Sequence, residues 1–344
     1  MSQVSVNPDL FRQKTQNLPY WVAYAFIASA ILIINLLTDP LYYADIDTYI
    51  QYTNALVYFP PDSWMYFEVF SNIYLLTTYW LTQSDVSGTI LAHYLLSLGF
   101  LVGLRLVFPP DKSSWAALLF TCAMIGPLLA FVTIRATPAY FLIAIATHLA
   151  INRRRSTWVF LVVATMFHIS ALLAAVPLAL LYFDQNLPKL FRAGRSRKLY
   201  FFIILVAAIF GAALPQLSLS VADLVRTIPI IAKYVVYIVA ATEETNIEHY
   251  VFFAFVASMA IIFMLAQTAQ SAKLTSYVMI SFILYAIIFF TASPIAAFRQ
   301  TPFWMIPMIS VLPWEKIGMN RATAPLFILL CVGLFAFQFQ QVYA

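Results

Sequence analysis

Residues 115–151 read WAALLFTCAMIGPLLAFVTIRATPAYFLIAIATHLAI. Two continuously apolar runs, 115–134 and 136–151, meet there at a single charged residue, Arg135. Apolar runs of this kind are typical of helices that cross a bilayer, since about 20 apolar residues span its hydrocarbon core. Similar runs recur along the chain, so the stretch predicts an all-α fold, a polytopic transmembrane helical bundle.

The composition of the whole chain agrees with that fold class. Of its 344 residues, 63% are hydrophobic and only 10% are charged, whereas soluble domains carry roughly 25% charged residues. The runs are continuously apolar, which favours helices over a barrel. We expect a single integral membrane domain over 1–344, with about nine to eleven membrane segments that include re-entrant or half-helices. The segments are about 20–38, 66–82, 88–104, 115–134, 136–151, 157–182, 199–216, 249–268, 275–292, 300–313 and 322–340.

The basic residues indicate how the segments are oriented, because short cytoplasmic loops carry an excess of Lys and Arg. If every segment crossed fully, the clusters at 153–155 and 189–198 would fall on opposite sides. The conflict disappears if 66–82 dips in from outside and 157–182 enters from the cytoplasm and returns as two half-helices. The N-terminus then lies inside, the C-terminus lies outside, and all but four of the 19 basic residues are cytoplasmic. The longer connections are an outer loop at about 39–65, a cytoplasmic loop at about 183–198 and an outer loop at about 217–248.

The four exceptions are Arg135, Arg226, Lys233 and Arg299, of which Arg135 and Arg299 abut membrane segments. An ionisable residue at the membrane is energetically expensive and is a functional hypothesis by default. A guanidinium binds two phosphate oxygens at once and keeps its charge, so two arginines facing one cavity suit a diphosphate. The simpler interpretation is that each cation pairs with an acid or reaches lipid headgroups. The stretch 221–240, with Arg226 and Lys233, also fits an amphipathic surface helix.

Acids and tyrosines follow the first apolar run, where residues 39–52 read DPLYYADIDTYIQY. Asp45 is a candidate general base, and Tyr49 and Tyr52 are candidates to stack on sugar rings. An ordinary interfacial loop with an aromatic belt is the alternative. Glu68 heads an apolar segment, and its carboxylate needs a partner there, for which a substrate or an arginine would serve.

His168 lies in the middle of 157–182, at the turn of the predicted hairpin. It is a candidate acid, base or phosphate donor, with a purely structural hydrogen bond as the alternative. His93, His148 and His249 lie near segment ends and are expected to be interfacial.

Neither a cofactor nor a metal is expected. The chain has no Gly-rich phosphate loop, and Cys122 and Cys331 lie inside apolar runs without metal-ligand spacing. The net charge of +5 does not indicate a nucleic-acid partner, because most cations lie in short clusters between apolar runs, where they set orientation.

These residues together resemble the EpsG/Wzy-type exopolysaccharide and O-antigen polymerases of bacteria. The specific part is Arg135-Ala136, then an apolar helix and a basic cluster, then FHISAL at 167–172. Asp45 with Tyr49, Glu68 before an apolar segment, and the late Arg299 resemble shorter motifs of the family.

The resemblance implies a multi-pass protein of the bacterial cytoplasmic (inner) membrane. It implies a metal-independent, glycosyltransferase-type polymerase that joins undecaprenyl-diphosphate-linked oligosaccharide repeat units at the outer face. The partners would be that lipid-linked glycan, the bilayer and other polysaccharide export proteins.

The resemblance also suggests roles. Arg135 and Arg299 would hold the diphosphate and stabilise its charge as it leaves. Asp45 or Glu68 would deprotonate the acceptor hydroxyl. His168 would support the phosphate site or relay a proton, while the tyrosines would pack on sugar.

Three other functions fit parts of the sequence. A flippase or transporter for the same lipid-linked sugar would also use arginines, but should present cationic sites to both leaflets. A membrane acyltransferase would use His168 and leave the outer arginines unexplained. A structural subunit of an export complex would have no activity of its own.

Overall fold

The computed structural model describes residues 18–59, 67–111, 113–183, 226–227, 247–266, 268, 271–291, 294–314, 317 and 322–343. Over these ranges the chain is helical, with short 3-10 turns and no strand, which confirms the predicted fold class. The predicted segment 199–216 and Lys233 lie outside the described residues. The helices are α1 (Leu18–Leu37), α2 (Ile46–Tyr58), α3 (Val69–Thr82), α4 (Asp85–Val107), α5 (Trp115–Phe131), α6 (Ala136–Ile151), α7 (Ser156–Phe167), α8 (Ala175–Phe183), α9 (Ile247–Leu265), α10 (Thr275–Thr291), α11 (Pro294–Gln300), α12 (Pro302–Val311) and α13 (Ala324–Gln340).

Four of the described helical stretches are long and apolar enough to cross a membrane. They are α1, α4, α9 and Ser271–Phe290, which joins a 3-10 turn to α10. Their outward faces are apolar as well, and on α1 the side chains of Leu36 and Leu37 are exposed. Such an apolar face is stable against lipid tails, whereas its exposure to water would be unfavourable. The chain is therefore a membrane protein.

The bundle has two chemically different ends. α5 and α13 run in parallel between them, since Trp115 contacts Phe327 near one end and Phe131 contacts Phe339 near the other. The end where α5 begins, here called the basic end, carries Arg105, Asp111, Arg153, Arg154, Arg155 and Lys273. The end where α5 finishes, here called the acidic end, carries Asp39, Asp45, Asp47, Asp85 and Glu248, and near it lie Glu68, Arg135 and Arg299.

The segment predicted at 157–182 folds back on itself. Trp158 lies 5.4 Å from Tyr182 and 6.2 Å from Phe183 between ring centroids, so the two ends of the segment meet. The chain turns at His168, which has an extended backbone and separates α7 from the 3-10 turn Ile169–Ala174. With 12 residues, α7 is about 18 Å long, well short of the roughly 30 Å hydrocarbon core. The hairpin therefore rises from the basic end and places His168 at its tip, as two half-helices should.

α3 is also too short to span a bilayer alone, and it packs its first turn on that tip. The Ser71 hydroxyl donates to the Phe167 carbonyl over 2.6 Å. At its other end α3 meets the start of α4, where Gly88 allows close contact. A Cβ on Gly88 would lie 2.8 Å from the Tyr79 Cα, so only glycine fits.

The predicted segment 300–313 proves to be a separate helix, α12. Thr301 divides it from α11, and Pro302 follows with no backbone N–H to continue the hydrogen-bond ladder. Arg299 consequently belongs to the last turn of the short helix α11.

Candidate functional site

Three predicted residues meet at a buried carboxylate. Arg135 Nη1 donates to Glu68 Oε2 over 2.7 Å, and His168 Nδ1 lies 2.9 Å from Glu68 Oε1. The backbone N–H of Ile169 donates to the same Oε1 over 3.2 Å. The Glu68 side chain is 0% exposed, and these partners supply the hydrogen bonds that a buried charge requires.

Helix termini bring these residues together. Glu68 is the N-cap of α3, Arg135 is the N-cap of α6, and His168 is the C-cap of α7. Backbone groups at helix ends lack intrahelical partners, and Glu68 satisfies one of them at Ile169. The sequence predicted that the Glu68 carboxylate needs a partner. In the structure it has two, Arg135 and His168.

Two tyrosines of α2 cover the Arg135 guanidinium. Its Cζ lies 5.7 Å from the Tyr49 ring centroid and 4.7 Å from that of Tyr52, within the range of cation–π attraction. The Tyr52 hydroxyl donates to Asn72 Oδ1 over 2.6 Å. Burial raises the pKa of Tyr52, so this hydroxyl keeps its proton and acts as a donor.

Asp45 precedes α2 in a left-handed conformation, with φ of 67°. This region is uncommon for a non-glycine residue, although aspartate tolerates it better than most. In the described structure its side chain makes no capping hydrogen bond to α2 and instead lines a cavity. Neighbouring Ala44 is fixed by its N–H, which donates to the Val342 carbonyl over 2.6 Å.

That cavity, of about 540 Å³, lies near the acidic end. Asp45, Tyr49, Arg135, His168 and Arg299 all line it, so two arginines more than 160 residues apart in sequence share one space. Glu68 and Tyr52 lie behind Arg135, outside the lining. Several further lining residues are not distinguished by any sequence pattern, namely Thr48, Thr133, Tyr140, Glu248, His249 and Gln338.

Tyr140 connects the two arginines through the fold. It lies on α6, whose start carries Arg135, and its hydroxyl donates to the Arg299 carbonyl over 2.8 Å. Its ring packs edgewise on Phe303 at 4.6 Å. In sequence it resembles any other aromatic residue of an apolar helix, so no local signal distinguishes it.

The remaining predicted residues have mixed outcomes. Arg226 is exposed and does not line the cavity. The interfacial expectation for His93 is wrong, because its side chain is buried in α4 with its ring edgewise to Tyr43 and Tyr49. His249 lies in the first turn of α9 and lines the cavity, and its interfacial position stays a prediction. Among the described residues no group of three or more His, Cys, Asp or Glu side chains is placed to hold a metal ion.

The fold and the cavity define a helical membrane protein whose polar side chains converge near one end of the bundle. The chain belongs to the EpsG family, whose model matches residues 23–344. This membership places it among membrane proteins of the exopolysaccharide-polymerase type. No curated protein and no solved structure matches the chain.

Proposed function

We propose that the protein is a glycosyltransferase-type polymerase of the bacterial inner membrane that joins undecaprenyl-diphosphate-linked oligosaccharide units. The observation that carries the proposal is the convergence of Arg135, Arg299 and Asp45 on one cavity. Family membership supports the same reaction class. Other polysaccharide export proteins are proposed partners.

The charge distribution supports an outward-facing site in a multi-pass protein. Lys and Arg concentrate on the cytoplasmic side of membrane proteins, which assigns the basic end to the cytoplasm. The cavity then lies towards the outer leaflet. The described charged residues that line it are all near the acidic end, and this favours an enzyme over a flippase, which should present cationic sites to both leaflets.

The two arginines are suited to a diphosphate group. A guanidinium has five N–H donors in a rigid fork, and the described contact between Arg135 and Glu68 engages Nη1. Glu68 and the two tyrosines orient the guanidinium of Arg135, which lines the cavity. Arg299 approaches the cavity from α11. Together they stabilise negative charge on the leaving diphosphate.

Asp45 is the proposed base for the acceptor sugar. It lines the cavity, whereas Glu68 is buried behind Arg135. In the proposed step an acceptor hydroxyl oxygen bonds to the anomeric carbon of the donor sugar. The bond from that carbon to the diphosphate oxygen breaks, the diphosphate keeps the electron pair, and the hydroxyl proton passes to Asp45. Glu68 and His168 are positioning residues that hold Arg135 and the hairpin tip in place.

Alanine variants of the arginines test the proposal. We expect Arg135→Ala and Arg299→Ala to abolish long polymer, measured as chain length of the polysaccharide made by cells that express each variant. Arg155→Ala, at the basic end and exposed, is the matched control and should make normal polymer. Abundance in the membrane is measured in parallel. Normal chain length from stable Arg135→Ala and Arg299→Ala proteins contradicts the proposal.

A further inference from the structure

Gln338 is a cavity-lining residue that the proposed reaction leaves without a role. It lies in the last turn of α13 and is only 6% exposed, yet it lines the cavity. In sequence it resembles Gln340, two residues further along, but Gln340 is exposed and does not line the cavity. Burial within the fold therefore distinguishes one of two otherwise similar glutamines.

The carboxamide of Gln338 has no hydrogen-bond partner in the part of the chain that the structure describes. A polar group that is buried and unpaired costs about 1–3 kcal/mol, so such groups are normally satisfied by protein, water or ligand. The amide of Gln338 can be satisfied from the cavity, by water or by a ligand that displaces it. It is thus available to what the cavity binds and adds little to the stability of the fold.

The end of α13 lies beside the start of α2, where Asp45 is the N-cap. The link is a backbone hydrogen bond, because Val342, four residues after Gln338, accepts the N–H of Ala44 over 2.6 Å. Thr48 follows Asp45 by three residues, so the two lie on the same side of the first turn of α2, and both line the cavity. Neither makes a side-chain hydrogen bond within the described residues. Three uncommitted polar side chains therefore share one space.

These three side chains provide what the two arginines lack. A guanidinium only donates hydrogen bonds, whereas a sugar hydroxyl must also give its own proton to an acceptor. Gln338 offers one acceptor oxygen and two N–H donors, Thr48 offers a hydroxyl that both donates and accepts, and the Asp45 carboxylate accepts. The carboxylate would repel a phosphate group. This part of the cavity therefore suits a neutral ligand with neighbouring hydroxyls.

We propose that Gln338, with Asp45 and Thr48, forms the binding site for the acceptor sugar. The Gln338 amide binds a hydroxyl next to the one that reacts, and it thereby turns the reacting hydroxyl towards Asp45. The inference rests on the proposed function for the role of Asp45 as base. It adds the residue that selects the acceptor, so that a sugar without a free hydroxyl on the neighbouring carbon binds much more weakly.

Binding measurements on the full chain in detergent test this proposal without any polymer being made. The first probe is the repeat-unit oligosaccharide released from the cells' own polysaccharide, free of lipid and diphosphate, and the second is inorganic pyrophosphate. Gln338→Leu removes the amide at similar side-chain size and should weaken oligosaccharide binding about tenfold, while pyrophosphate binding and the melting temperature stay unchanged. Gln340→Leu is the matched control, because it makes the same change at an exposed position of the same helix. It should bind both probes as the wild type does.

Thr48→Val provides a second variant, because it removes an exposed hydroxyl and keeps the shape of the side chain. It should weaken oligosaccharide binding about threefold and leave pyrophosphate binding unchanged. Wild-type oligosaccharide affinity in Gln338→Leu overturns the proposal, and so does a wild-type protein that binds pyrophosphate but not the oligosaccharide. Equal weakening of both probes, or a lower melting temperature of Gln338→Leu, also overturns it, because the amide then supports the fold and not the sugar.

Failure of the polymerase proposal gives a different result. If Arg135→Ala and Arg299→Ala make normal polymer while Gln338→Leu still loses oligosaccharide affinity, the polymerase proposal fails and the sugar site stands. If the arginine variants lose polymer while Gln338→Leu binds the oligosaccharide normally, the polymerase proposal stands and the sugar site fails.

Discussion

Arg135 and Arg299 line the same cavity but are positioned by different means. The guanidinium of Arg135 is fixed directly, by an ion pair with Glu68 and by the rings of Tyr49 and Tyr52. Arg299 is positioned through its backbone, because its carbonyl accepts the hydroxyl of Tyr140. It also lies on α11, a helix of only seven residues.

The comparison shows one cation with described contacts at its guanidinium and one with a described contact at its backbone carbonyl. A preorganised charge needs no rearrangement when negative charge develops, which is the larger contribution to transition-state stabilisation. Substitutions of the residues that contact each arginine should therefore have unequal effects on stability and activity.

The largest effect is expected for Glu68→Ala. Removing one member of a buried ion pair leaves the other charge without compensation, which costs about 3–5 kcal/mol. Arg135 would lose its ion-pair partner, so both the melting temperature and polymer formation should fall. Thermal unfolding of the detergent-solubilised protein measures the first, and polysaccharide chain length measures the second.

Glu68→Gln is the graded control for that variant. The amide keeps only one of the two acceptor oxygens that serve Arg135 and the Ile169 N–H, and it has no charge, so we expect an intermediate melting temperature. If Glu68→Ala unfolds at the wild-type temperature, the ion pair does not hold Arg135 and the contrast between the two arginines disappears.

The sequence was informative wherever polarity interrupts an apolar run. Arg135, His168 and Arg299 were recognisable because a charged or polar side chain at the membrane is expensive and needs a reason. The hairpin at 157–182 followed from the distribution of basic residues, since full crossing placed two cation clusters on opposite sides. Both arguments use the energetics of the bilayer and need no tertiary contacts.

The sequence did not predict interactions that depend on how distant segments pack together. Glu68 meets Arg135 and His168 across separations of 67 and 100 residues, which no local pattern encodes. Tyr140 is one aromatic residue among many in apolar helices, and only its hydrogen bond distinguishes it. The presence of His249 in the cavity lining was also not predictable, because a position near a segment end does not show which way the side chain points.

A smaller effect is expected for Tyr140→Phe, which removes the hydrogen bond to the Arg299 carbonyl. The change leaves a buried carbonyl without its donor and costs about 1 kcal/mol. If the loss loosens α11, the KM for the lipid-linked substrate should rise about fivefold. Steady-state kinetics with the purified protein measures the split between KM and kcat.

Tyr277→Phe is the matched control for the Tyr140 variant. The Tyr277 hydroxyl donates to the Phe303 carbonyl over 2.8 Å, the same kind of buried bond as that of Tyr140. Both variants should lower the melting temperature to a similar extent, but only Tyr140→Phe should raise KM. An equal change of KM in both would mean that Tyr140 has a general structural role and does not position Arg299 specifically.

The smallest effect is expected for Tyr52→Phe. This variant tests whether the ring or the hydroxyl of Tyr52 holds Arg135. The phenylalanine ring keeps most of the cation–π attraction, while the bond to Asn72 is lost. We expect the melting temperature to fall slightly and polymer length to stay within about twofold of the wild type, because the ion pair with Glu68 dominates. Tyr58→Phe, which removes an exposed hydroxyl from the same helix, serves as control. A loss of polymer in Tyr52→Phe as large as in Glu68→Ala would show that Arg135 is oriented by the hydroxyl network and not by its carboxylate.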